Sequence, residues 1–131
     1  MKKHGILNSS IAKVLADLGH TDQVTIGDLG LPVPKEVEKI DLALKIGTPS
    51  FIEVLETVLE EMQIEKIILA EEIKEQNPTQ LLAIKRLFPE ISIQYLPHEA
   101  FKTQTQTSKA VIRTGEATPY ANVILQSGVI F

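Results

Sequence analysis

The sequence predicts an α/β fold: one layered domain over residues 1–131, with a largely parallel central sheet flanked by helices. Three observations lead to this prediction. The middle of the chain alternates short strand-like runs with amphipathic helical patterns. The run KIILA at 66–70 is continuously apolar, which is typical of a strand buried on both faces. The last two strand-like runs have no helix between them, which leaves room for an antiparallel pair.

The first half of the chain predicts two helices and two strands before that buried run. Apolar side chains repeat at helical spacing from 11 to 18, after Ser9 and Ser10 as candidate N-caps and before Gly19 as the candidate C-cap. Ser50 is the expected cap of the second helix, whose apolar face extends to Met62. The two strands are expected over 23–27 and 39–44, separated by a loop rich in glycine and proline.

The second half continues the alternation. Asn77 and Pro78 form a typical helix start, with an N-cap followed by proline at the first helical position, and Pro89 ends that helix. The other elements are expected to be short helices over 71–76 and 97–105 and strands over 91–95, 110–114 and 122–126. The apolar end GVIF is expected to be tied into a sheet or a subunit interface.

Composition excludes several classes of protein. The net charge is −4 and no cluster of lysine and arginine is present, which argues against a nucleic-acid partner. No apolar stretch approaches the roughly 18–20 residues of a membrane span. The chain has no cysteine, which excludes disulfides and thiol nucleophiles and fits the reducing cytoplasm.

Histidines are the first candidates for chemistry, because the common phosphate-binding, hydrolase and zinc motifs are absent. The spacing of His4, His20 and His98 matches no familiar zinc pattern, so no metal is expected. His20 directly follows the first helix and is either a surface residue there or an acid–base group. Lys102 lies one helical turn after His98, so the two share a face of the predicted helix, which is either a binding face or simply a solvated one.

Asp28 is the strongest single candidate for ligand binding. It ends the predicted strand over 23–27 and enters a loop, and ligands of open α/β sheets bind outside the carboxyl ends of strands. The alternative is that Asp28 only caps a turn. Tyr120 and Asn122 offer further polar groups beside a proline turn, where Tyr120 could equally pack with its hydroxyl at the surface.

Five stretches resemble one known family over essentially the whole chain. They are LGHTD, DLGLPVP, IDLAL, PHEAFK and the ending AVIRTGEATPYANVILQSGVIF. In this order and spacing they resemble the family formed by D-ribose pyranases and L-fucose mutarotases. One departure is Leu29, where the family pattern usually has alanine between the aspartate and the glycine.

The resemblance implies a cytoplasmic enzyme without a cofactor that converts the β-pyranose form of D-ribose into the furanose. It implies a homodecamer of two stacked pentameric rings. It also implies a set of site residues, with His20 as the proton donor. The residues that match the family's sugar-contacting positions are Asp28, His98, Lys102, Tyr120, Ala121 and Asn122.

The predicted strand between His20 and Asp28 separates them by about 16 Å, at roughly 3.3 Å per residue. Either the loop after His20 folds back or neighbouring subunits share the site, and we favour sharing. Other functions remain open at this stage. They are a fucose-type mutarotase, a non-catalytic ribose-binding accessory subunit of a transporter, and an oligomeric scaffold.

Overall fold

The computed structural model describes all residues from Met1 to Phe131 and confirms the α/β prediction. Six strands form one sheet in the order β2-β5-β1-β6-β3-β4. The strands are β1 Gln23–Gly27, β2 Glu38–Asp41, β3 Ile64–Ala70, β4 Ser92–Leu96, β5 Ala110–Arg113 and β6 Val123–Ser127. The helices are α1 Ser9–Asp17, α2 Phe51–Leu59, α3 Ile73–Gln76, α4 Pro78–Leu87 and α5 His98–Gln104, and a 3₁₀ turn over Thr105–Thr107 follows α5.

Strand direction defines two edges of the sheet. β6 runs antiparallel to both of its neighbours, β1 and β3, and every other pairing is parallel. β5 and β6 therefore run in opposite directions, as expected, but β1 lies between them. Five strands end at one edge, here called the carboxyl edge, and begin at the other, here called the amino edge. Ligands of such sheets bind at the carboxyl edge.

Helices cover both faces of the sheet because strand side chains alternate. Ile67 and Leu69 face a large apolar cluster that includes buried residues of α1, α2 and α4. Ile68 and Ala70 face a smaller cluster that contains Phe101 of α5. The core therefore holds α5 against the sheet with its first residue, His98, at the carboxyl edge. None of the helices has both the length and the hydrophobicity that spanning a bilayer requires.

The structure corrects three local predictions. The N-cap of α1 is Asn8, whose side chain accepts the Ile11 N–H, and not Ser9 or Ser10, which lie inside the helix. Its C-cap is Leu18, so the predicted cap, Gly19, lies one residue beyond the observed one. The predicted second strand ends at Asp41, because the chain then turns into a tight hairpin closed between residues 45 and 48.

The structure also excludes one of the two alternatives for the end of the chain. The GVIF segment does not continue the sheet, because β6 ends at Ser127. Ile130 and Phe131 are 88% and 101% exposed. Two large apolar side chains thus remain in solvent at the amino edge, beside the start of β3, where Gly128 donates a hydrogen bond to the Gln63 carbonyl.

Candidate functional site

Four of the predicted site residues come together at the carboxyl edge. Asp28 directly follows β1, His98 follows β4, and Tyr120 and Asn122 lie in the loop that enters β6. β6 begins where its antiparallel neighbours end, so its entry loop lies beside Asp28. Strand pairing therefore gathers residues that are far apart in sequence into one cluster, at the edge where ligands of such sheets bind.

Asp28 and Asn122 are joined by two hydrogen bonds. The Asn122 side chain is buried, with Oδ1 accepting the Asp28 N–H at 2.8 Å and Nδ2 donating to Asp28 Oδ2 at 3.2 Å. The Gly30 N–H donates to Asp28 Oδ1 at 2.9 Å. Burial raises the pKa of Asp28, and these donors and the nearby His98 partly offset that rise. The carboxylate is thus fixed in place while keeping acceptor capacity for hydroxyl groups.

Gly27 allows this close approach. A Cβ at this position would lie 2.6 Å from the Leu31 side chain and 3.1 Å from Asn122 Oδ1. A larger residue would therefore push Asn122 away from Asp28. The close packing of Leu31 and Asn122 thus explains why the last residue of β1 is glycine, which the sequence alone does not show.

His98 and Tyr120 form an aromatic pair next to this carboxylate. Their rings lie 5.1 Å apart, edge to face at 83°. The His98 ring also stacks on Phe101 at 6.3 Å. Its Nδ1 is buried and has no hydrogen-bond partner within the chain. Buried polar atoms are nearly always paired, so an unpaired ring nitrogen is a candidate contact for a ligand.

Lys102 and Ala121 are less directly placed. Lys102 follows His98 by one turn of α5 and forms an ion pair with Glu99 at 2.8 Å. The Ala121 side chain is fully buried in the main apolar cluster. Only the main chain of Ala121 can face a ligand at the carboxyl edge. The Lys102 ammonium is paired with Glu99 and forms no ion pair with Asp28.

His20 lies apart from the other candidates, at the amino edge. It precedes β1, and its Nε2 lies 2.9 Å from Oε2 of Glu65, near the start of β3. Gln126 donates to Glu65 Oε1 at 2.8 Å, and the bonds from Gln126 and His20 lower the pKa of Glu65. The His20 side chain remains half-exposed. One chain therefore does not bring His20 to the Asp28 cluster, as the length of the first strand predicted.

Two neighbours of the cluster were not among the sequence candidates. Glu72 binds the His98 main chain, and Asn77 binds the loop before Tyr120. The sequence predicted Asn77 only as a helix cap. Its hydrogen bond to the loop before Tyr120 depends on the tertiary fold, and no sequence pattern indicates it. No group of three histidine, aspartate or glutamate side chains could hold a metal ion.

The comparisons with known proteins agree on one family. A model of the RbsD / FucU transport protein family matches residues 1–130. The chain is 62% identical to the D-ribose pyranase of Bacillus licheniformis and 57% identical to that of Lactobacillus gasseri, each over 100% of both chains.

Solved structures give the same picture. Bacillus subtilis RbsD complexed with D-ribose superposes with a TM-score of 0.97 at 59% identity, over 100% of both chains. FucU from Bifidobacterium longum superposes with a TM-score of 0.81 at 27% identity, over 95% of this chain and 97% of that one. The likeness to the ribose-bound structure spans both the carboxyl edge and the amino edge of the sheet.

Proposed function

The chain belongs to the RbsD / FucU transport protein family, and we propose that it is a D-ribose pyranase, interconverting β-D-ribopyranose and β-D-ribofuranose. The observation that carries this proposal is full-length identity of 57–62% to proteins named D-ribose pyranase. The similarity to a structure complexed with D-ribose adds to it. The reaction is an isomerisation, because no group leaves and no redox change occurs.

Ring opening and ring closure each need two proton transfers, and the sugar needs a polar cradle. The anomeric hydroxyl loses a proton while the ring oxygen gains one, and the ring opens to an aldehyde. After rotation about C–C bonds, a different hydroxyl attacks the aldehyde carbon and closes the other ring; that hydroxyl loses its proton while the carbonyl oxygen gains one. A positioned acid or base contributes roughly 10²–10⁴-fold to such a step. Histidine suits it, because its pKa of about 6.5 keeps both protonation states available near neutral pH.

The cluster at the carboxyl edge supplies the cradle. In our proposal the Asp28 carboxylate accepts sugar hydroxyls, and the unpaired Nδ1 of His98 binds another. The Tyr120 ring covers an apolar face of the sugar. Asn122 and the main chain of Ala121 complete the cradle, and Lys102 reaches it after exchanging its partner Glu99.

His20 is the proposed proton donor, and it acts on a sugar held by a second copy of the chain. Exposed apolar side chains lie at both edges of the sheet and support this arrangement. Ile130 and Phe131 lie at the amino edge near His20, and Leu44 and Ile46, 78% and 79% exposed, lie in the hairpin that Gly115 holds near the end of β5. Joining the amino edge of one chain to the carboxyl edge of the next would bury both apolar pairs.

Such a contact joins two different surfaces, so it can repeat from chain to chain. The chains form a closed ring when the rotation between neighbours divides a full turn evenly. It would place each His20 beside the Asp28 cluster of its neighbour. We propose a pentameric ring of this kind and a homodecamer of two stacked rings. We also propose a cytoplasmic location, which the absence of cysteine supports.

Saturation-transfer NMR on D-ribose tests the proposed activity. The native protein should accelerate pyranose–furanose exchange, and His20→Ala should abolish most of that acceleration. A rate equal to that of buffer alone would contradict the proposal. L-Fucose then tests the fucose-type alternative. Ribose binding without acceleration of either sugar would favour the accessory binding role in transport.

A further inference from the structure

A short segment between β3 and α4 contacts the main chain beside both aromatic residues of the cluster. Glu72 directly precedes α3, and Asn77 directly follows it. The Glu72 side chain is bonded to the first residue of α5, and the Asn77 side chain to the loop that precedes β6. One six-residue span, from Glu72 to Asn77, thus holds two distant parts of the chain, and each part carries one ring of the aromatic pair.

Glu72 fixes the start of α5. Both of its carboxylate oxygens accept the His98 N–H, at 3.0 Å each. The residue at the N-cap position, Pro97, offers no side-chain hydrogen bond. The first N–H groups of a helix have no partner within the helix and attract negative charge. Glu72 therefore takes the place of the missing cap and ties His98 to the end of β3.

Asn77 fixes the loop before Tyr120 through a buried side chain. Its Nδ2 donates to the Pro119 carbonyl at 2.8 Å and to Thr118 Oγ1 at 3.0 Å. Its Oδ1 accepts the Gln80 N–H at 3.3 Å and so caps α4. One amide group thus serves two purposes, with the oxygen stabilising a helix and the nitrogen holding the loop.

The loop is anchored from its other side as well. Thr118 Oγ1 donates to Oε2 of the buried Glu116 at 2.8 Å, and Glu116 Oε1 accepts the Phe51 N–H. Tyr120 follows this anchored stretch with a φ of +55°. Residues with side chains rarely adopt that left-handed conformation unless the surrounding structure holds them there.

We propose that Glu72 and Asn77 are positioning residues, which together set the placement of the His98 ring against the Tyr120 ring. Neither touches the sugar. Each acts on the main chain next to a ring, and the edge-to-face contact at 5.1 Å is the result. The proposal rests on the proposed function in one respect, that this ring pair binds the sugar.

Asn77→Asp tests the Asn77 half of the proposal. The carboxylate still accepts the Gln80 N–H, so the α4 cap is retained. Both donors to the loop are lost, and a charged oxygen then faces the Pro119 carbonyl. We expect kcat/KM for ribose exchange to fall roughly ten- to a hundredfold, mainly through KM, because misplaced binding groups are costly. The imidazole proton resonances of His98 should also shift, since they sense the Tyr120 ring current.

Glu72→Ala tests the Glu72 half of the proposal, at a residue that is not fully buried. It should raise KM and shift the same resonances, because the His98 N–H loses its partner. Glu72→Gln keeps one acceptor oxygen and should restore most of both properties. Glu75→Ala is the matched control, because it removes an exposed carboxylate from α3 without contacting His98. It should leave KM and the resonances at their native values.

The two readouts separate positioning from plain stabilisation. Variants that lower Tm but keep the native KM and the native His98 resonances would overturn the proposal. The resonances are read without sugar, so they test the ring placement even if the native protein proves inactive on ribose. In that case the proposed function fails, and unshifted His98 resonances in both variants would still overturn the positioning role.

Discussion

The two edges of the sheet differ in how firmly a single chain fixes their candidate site residues. At the carboxyl edge, Asp28 and Asn122 are bonded to each other, and Asn122 is only 1% exposed. At the amino edge, His20 is held by a single contact to Glu65 in an exposed position. An exposed pair of this kind is only weakly held. The chain alone therefore builds the proposed sugar cradle but leaves the proposed proton donor free to engage another chain.

His20→Ala should produce the largest effect. It should lower the rate of ribose exchange and leave the stability of the fold unchanged. Ribose exchange should slow by about 10²–10⁴-fold, because a positioned acid is lost. Tm should stay native, because substitutions of exposed side chains cost little. Saturation-transfer NMR and thermal unfolding measure the two quantities. His4→Ala, which removes another exposed histidine, is the control, and an equal loss of rate in it would contradict the role of His20.

Asn122→Ala should affect stability and function together, in contrast to His20→Ala. Removing the amide leaves the Asp28 N–H without its partner, which should cost about 1–3 kcal/mol in the free energy of unfolding. Ribose affinity should fall as well, because Asp28 is no longer fixed. Chemical denaturation and sugar titration measure these effects. Gln94→Ala removes an exposed amide from β4 and should change neither; native stability in Asn122→Ala would contradict the comparison.

Ile130→Ala should weaken assembly and leave the single chain intact. The side chain is exposed in the chain, so its loss should not lower the stability of the fold. Burial of such a side chain between copies is worth about 1.5–3 kcal/mol, so partial truncation should weaken association by roughly tenfold. Analytical ultracentrifugation over a dilution series measures this change. Leu82→Ala, in the middle of α4, is the control, and equal effects of the two would argue against contact between the edges.

The smallest expected effect is a pH dependence of the free energy of unfolding, which arises from Asp28 at the carboxyl edge. Burial raises the pKa of Asp28, so the folded chain holds that proton more tightly than the unfolded chain. The stability that Asp28 contributes is full below its unfolded pKa of about 3.9 and is lost as pH rises through the higher folded value. The free energy of unfolding of the native protein minus that of Asp28→Asn should therefore fall across this window. Denaturant titrations at several pH values would show a rise instead if Asp28 were stabilised in its charged form.

The sequence was sufficient to predict the order of strands and helices, because each carries its own periodicity and punctuation. The sequence did not predict which of several neighbouring residues caps a helix. Asn8, Ser9 and Ser10 can all cap a helix, and only the structure shows that Asn8 does so. The sequence left two alternatives for the apolar end, a sheet or a subunit interface, because such an end looks the same in both. The structure excludes the sheet and leaves Ile130 exposed.

The members of the cluster at the carboxyl edge could be proposed from the sequence, but their contacts could not. Asp28 and Asn122 are 94 residues apart, and the pairing of β1 with β6 brings them together. The bond between Glu72 and His98 depends in the same way on the pairing of β3 with β4. The strand length predicted that His20 and Asp28 lie at opposite ends of β1, and the contact of His20 with Glu65 shows that the loop after His20 does not fold back.

The central claim is that each site combines the carboxyl edge of one chain with His20 of the next, and mixing two inactive variants tests it most directly. His20→Ala and Asp28→Ala, mixed in equal amounts after reversible unfolding, should regain about a quarter of the native ribose exchange rate, because random neighbours in a ring restore one site in four. A mixture of Asp28→Ala with Asn122→Ala should stay inactive, since both residues belong to the same chain's edge. Failure of the first mixture to regain activity, with assembly intact, would contradict a shared site.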